Sequence, residues 1–141
     1  MIENILCNEI LMAIIIRAEY KKEGITFFTP GEFSQQLGYM NRKKDYVIEP
    51  HIHLHLERKV LYTQEVLIIK SGIVRVDFYD VKQNYLESRS LYEGDVILLA
   101  SGGHGFEILE DAEIIEVKQG PYSNENDKLR FTDVKKELVT E

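Results

Sequence analysis

The clearest periodicity in the chain lies in IVRVDFYD, where Val74, Val76 and Phe78 alternate with Arg75, Asp77 and Tyr79. A period of two marks a half-buried strand. TQEVLIIKSG before it is a predominantly apolar run that closes at a Ser-Gly turn, and DVILLAS after it is a continuous apolar strand bounded by glycines. NYLESRSLY predicts a strand running into a turn at Glu93-Gly94, and HGFEILE and AEIIEVKQ predict two strands around a Glu110-Asp111 turn. Nearer the N-terminus, ILMAIIIRAEY has three consecutive isoleucines, which favour a strand. GITFF predicts another strand, GEFSQQLGYMNR has no clear period, and DYVIEPHIHLHL reads as extended, with Pro50 biasing Glu49 away from helix. After Gly120-Pro121 the pattern fades into a polar tail, where TDVKKELVTE predicts a short helix capped by Thr132. Short strands with turn signals every ~8–12 residues predict an all-β barrel or sandwich.

Composition narrows this picture. A length of 141 residues fits one domain, and 44% hydrophobic residues can fill its core. The net charge of −7 argues against nucleic acid or an anionic membrane as partner, since both need a basic surface. The apolar run Ile10–Ile16 is too short to span a bilayer, and acidic residues precede it where a signal peptide carries basic ones. The single cysteine, Cys7, excludes an intrachain disulfide and reads as a small hydrophobe. Together these features predict a cytoplasmic protein.

The chemistry-bearing residues are concentrated in two segments. His51, His53 and His55 alternate with Ile52, Leu54 and Leu56, which places the three imidazoles on one face of a strand. The fourth histidine, His104, sits among glycines in SGGHGF. Imidazole suits zinc, iron, nickel and copper. SGGHGF does not read as a phosphate loop, because a β pattern and not a helix follows it. No Ser-His-Asp or Cys-His nucleophile set is apparent.

With PHIH, EVLIIKSG and GDVILLASGGH in this order, the chain resembles the cupin superfamily, whose two motifs are G(x)5HxH(x)3–4E(x)6G and G(x)5PxG(x)2H(x)3N. The resemblance covers roughly residues 45–120, leaving extra strands in 1–44 and a tail in 121–141. Glu65 and Gly72 keep the E(x)6G spacing, and Gly94, Gly102 and His104 follow the second motif. Asp45 stands at the first glycine, Ala100 at the proline and Ile108 at the asparagine; one residue is missing before His104. Eleven residues separate His53 from Glu65, which predicts that LERKVLY, including Glu57, forms a lengthened hairpin.

The resemblance implies a single-domain cupin-type double-stranded β-helix, a jelly-roll barrel. It further implies a divalent transition metal (Fe, Mn, Ni or Zn) held by His51, His53, Glu65 and His104, with His53 and His55 as the alternative pair. Such a site implies a metal-dependent enzyme acting on a small polar substrate, with sugars or nucleotide sugars of surface-polysaccharide metabolism as one class. An Fe(II) oxygenase and a non-catalytic ligand-binding module are the alternatives. Glu65 or Lys118 is the expected proton carrier, Lys118 sharing a strand face with Glu116. His55, Gln36 and Tyr39 are candidate substrate contacts. A homodimer is expected, with the N-terminal strands at the interface because Ile10–Ile16 needs a cover.

Overall fold

The computed structural model describes residues 1–124 and 126–141. Among them there is no α-helix, and the chain is all-β: β1 (Ile2–Cys7), β2 (Ile10–Ile16), β3 (Gly24–Phe27), β4 (Gly38–Asn41), β5 (Glu65–Tyr79), β6 (Tyr85–Leu91), β7 (Val96–Leu99) and β8 (Gly103–Lys118). Among the described residues no helix is long and apolar enough to cross a membrane. The chain divides into two compact units, Met1–Tyr20 with Thr63–Glu141, and Lys21–Tyr62.

The larger unit is a curled antiparallel sheet ordered β1-β2-β7-β5-β6, with β8 on the second side of β5. Strand β5 changes neighbours along its length. Glu65–Ile68 pair with β7, Val74–Tyr79 pair with β6, and β8 accompanies both halves. The turns expected at Ser71-Gly72 and Glu110-Asp111 are therefore bends inside two long strands. Both lie where the β5–β8 register slips between Ile69 and Val74.

The core forms where β2, β5 and β7 meet. Ala13, Ile15, Val74, Val76, Leu91 and Ile97 are fully buried, and burying each larger aliphatic side chain contributes about 1.5–3 kcal/mol. Within the run Ile10–Ile16, Met12 to Ile16 are buried in the chain itself, in a strand flanked by β1 and β7, and Ile10 is exposed. β1 is a strand that the hydrophobic pattern does not announce. Its hairpin closes through Asn8 and Glu9, both left-handed, the geometry that two-residue hairpins favour.

Arg75 and Asp77, expected on a solvated face, are buried. Arg75 donates through Nε and Nη2 to the Asp77 carboxylate at 2.8 and 3.0 Å and also pairs with Glu107 at 2.8 Å. The tail covers this face and is not a free polar extension. Ser88 N–H donates to the Thr140 carbonyl, Val134 N–H donates to the Tyr79 hydroxyl, and Ser90 donates to the Glu141 carboxylate. The expected terminal helix is only a 3-10 turn, Lys136–Leu138, and Thr132 does not cap it.

The smaller unit holds the β3–β4 hairpin. Asp45, at the position of the motif glycine, has φ +70, a conformation that aspartate tolerates. Residues 46–62 enter no strand pairing, so neither the histidine strand nor the hairpin at LERKVLY forms in the structure. Strand geometry persists only with a hydrogen-bonding neighbour, and none of the described strands supplies one here.

Candidate functional site

The site is built on the larger unit, where the start of β5 lies beside the end of β8. Antiparallel pairing sets Glu65 opposite Lys118. His104 enters from the start of β8, in the glycine-flanked stretch Gly102–Gly105. Its Nε2 lies 3.2 Å from Oε2 of Glu65. The two residues border a cavity of about 650 Å³, together with Lys118, Tyr79, Phe106 and Phe131. The Tyr79 and Phe131 rings meet edge to face at 5.0 Å, and the His104 and Phe106 rings are 5.5 Å apart.

Charges of both signs ring the cavity. Lys118, Lys128 and Arg130 line it with Glu116, Asp127 and Asp133. Lys118 Nζ is 3.5 Å from Glu116, and that carboxylate is the main cause raising the Lys118 pKa. The hydrogen bond from His104 holds the Glu65 carboxyl below the usual glutamate range. Burial opposes this shift, and the His104 charge adds to it. A depressed carboxylate contributes stability in full above its unfolded pKa and loses it as pH falls through the lower folded value. Unfolding stability should therefore fall as pH drops below the ordinary glutamate value of about 4.3. Denaturant titrations across that range check this: Glu65→Gln should flatten the acid limb, and an unchanged limb would remove Glu65 from it.

The sequence-predicted residues are distributed as follows. Glu65, His104 and Lys118 come together at the cavity. His51, His53 and His55 are exposed in the smaller unit. The rings of His51 and His53 lie 5.1 Å apart, and His51 Nδ1 contacts the Glu49 carbonyl. Gln36 is occupied with its own loop, donating to the carbonyls of Pro30 and Phe33 and accepting from the Thr29 hydroxyl. Tyr39 pairs with Thr26 in the β3–β4 hairpin.

Catalytic metal sites typically use three protein ligands. The larger unit brings two implied donors together, Glu65 and His104, and the smaller unit holds His51 and His53 close. Among the described residues no group of three or more His, Cys, Asp or Glu is placed to hold a metal ion. The fit to a metal thus stops at two donors in each unit.

Sequence reasoning missed the aromatic wall, Tyr79, Phe106 and Phe131. Tyr79 follows the alternating strand Val74–Phe78 and Phe131 lies in the polar tail, so neither carries a local signal of its place. Compared with protein-family models, curated proteins and solved structures, the chain finds no match.

Proposed function

We propose that the larger unit binds a small polar metabolite of the sugar or nucleotide-sugar class, and that Glu65 and His104 move a proton on it. The observation that carries this reading is the 3.2 Å Glu65–His104 pair at the wall of a cavity of about 650 Å³. A cavity of that size suits a small ligand, and a few convergent polar groups on an apolar lining orient one. Tyr79, Phe106 and Phe131 offer apolar faces to a ring. Lys118, Lys128 and Arg130 supply positive charge for a phosphate. A carboxylate bonded to an imidazole is an acid–base pair that can take a proton at one atom and return it at another.

Calorimetric titration with uridine diphosphate-glucose, glucose 1-phosphate and glucose tests the binding. At least one phosphorylated compound should bind, and Lys118→Ala should weaken it by about tenfold, the loss of one charge-assisted contact. Solvent deuterium entering the carbon beside the carbonyl of a ketose phosphate, fructose 6-phosphate, followed by proton NMR, reads the proton transfer, because the carbonyl makes that C–H acidic. Glu65→Gln and His104→Gln should each slow that exchange by 10²-fold or more. Absence of binding by all three compounds would remove the reading. Binding without exchange would reduce it to a non-catalytic ligand module.

A second reading keeps the metal. Glu65 and His104 are two of the four ligands that the cupin resemblance implies, and they are adjacent. On this reading a divalent transition metal held by this pair would supply Lewis-acid chemistry. Elemental analysis of purified protein decides it: less than about 0.2 equivalents of Fe, Mn, Ni or Zn per chain would remove it.

A further inference from the structure

Strand β8 is paired on one side only. Over its whole length, Gly103–Lys118, it accompanies β5, and among the described residues no strand takes its outer edge. Phe106, Ile108, Leu109, Ile115 and Val117 along it are exposed. A long apolar edge with free backbone donors and acceptors is a template for another strand.

The chain carries a segment with the matching deficit. Residues 51–56 alternate with a strand period yet pair with no strand, and Ile52 and Leu54 are 87% and 84% exposed. Charge separates this occupant from the simplest alternative, a second β8. Strand β8 bears Glu107, Glu110, Asp111, Glu113 and Glu116 against Lys118, so β8 on β8 sets acid beside acid, which destabilises a cross-strand pair. The histidine segment lies within residues 42–59, where Arg42, Lys43, Lys44, Arg58 and Lys59 outnumber Asp45, Glu49 and Glu57.

We propose that the chain forms a two-fold homodimer in which each copy lays residues 51–56 antiparallel along the outer edge of the other copy's β8, at Gly103–Leu109. The docking sets a segment of net positive charge against the net negative charge of β8. Pro50, which lacks a backbone donor, falls just outside the paired segment, a position that strands tolerate. The exchange is reciprocal, so it closes at two copies and does not propagate.

Light scattering on a sizing column should give twice the 16.4 kDa chain mass. Ile52→Lys with Leu54→Lys should raise the dimer dissociation constant at least about tenfold. Both side chains are exposed in the single chain, so folding should survive, as circular dichroism checks. To locate the contact, Cys7→Ser chains carrying Leu54→Cys alone and Ile108→Cys alone are mixed with a flexible bis-maleimide that tolerates a two-residue slip of about 7 Å. A cross-link between the two chains supports the proposal. A monomer, an unaltered dimer in the double-lysine variant, or a dimer with no cross-link between the two chains would each overturn it.

Discussion

Asp95→Ala is expected to destabilise the chain by about 3–5 kcal/mol, the range for breaking a buried ion pair from one side. Asp95 is 3% exposed. Its Oδ2 accepts from Arg17 Nη1 at 2.7 Å and from Tyr92 N–H at 3.0 Å, and its Oδ1 accepts from Ala18 N–H at 2.9 Å. One carboxylate thus closes the turn before β7, holds the end of β2 and neutralises a partly buried guanidinium. Alanine removes both acceptor oxygens and with them all three hydrogen bonds. Arg17 keeps Glu3 at 2.6 Å and the Ser90 carbonyl at 2.7 Å, so the unpaired charge is softened, but the two backbone donors have no replacement in the structure. A leftover buried donor costs about 1–3 kcal/mol. Urea denaturation should show a lower midpoint at unchanged slope. Asp95→Asn, which keeps one acceptor oxygen, should fall between. A loss below about 1 kcal/mol would mean that water replaces the carboxylate at low cost.

Gly72→Ala is the second large effect, expected at about 2–5 kcal/mol from left-handed strain together with overpacking. Gly72 has φ +82, and a Cβ there would sit 2.2 Å from the Asp111 carbonyl oxygen and 2.7 Å from the Ala112 Cα. The obstacle is backbone, so no side chain can swing aside. This is the point where β5 and β8 bend together and their register slips. The variant must separate the strands there, and the Glu65–Lys118 pairing lies beyond the bend. Thermal unfolding should show a Tm lower by roughly 5–20 °C. Gly31→Ala, with nothing within 4 Å and no positive φ, is the control and should change stability by less than about 0.5 kcal/mol. Equal behaviour of the two variants would refute this account of the bend.

Much of the larger unit was legible. Val74–Phe78, Val96–Leu99 and Ile10–Ile16 are strands because period two and β-branched runs express a local requirement of the pleat. Gly72, Gly94 and Gly102, singled out through the resemblance to the cupin motifs, all have positive φ, and glycine is the residue that adopts it without a Cβ clash. Glu65, His104 and Lys118, also named from sequence, share one cavity.

Other features were not legible because they depend on what arrives from elsewhere in the chain. Arg75 and Asp77 occupy the positions of a solvated strand face, yet the tail and β6 cover them, and they are paired to each other because burial demands it. The polar tail carries no hydrophobic period, but Phe131 stands against Tyr79, and the hydrogen bonds of Val134, Thr140 and Glu141 hold it there. Residues 46–62 show the converse. The alternation in PHIHLHL is a faithful strand pattern, but a pattern cannot supply the neighbouring edge, and without one the segment stays unpaired.

The amino-acid sequence by itself determined the all-β class, the positions of the strands with strong periodicity, the glycines at the bends and the residue types available for chemistry. These follow from local sterics and from side-chain alternation, which act over a few residues. Tertiary structure alone decided that β5 pairs with two different strands on one side, that β8 continues through its bend, and that Glu65 meets His104. Those outcomes depend on hydrogen-bonding partners dozens of residues away. Such partners are chosen by which edges and apolar faces remain to be covered, a quantity that belongs to the folded chain and to no single segment of it.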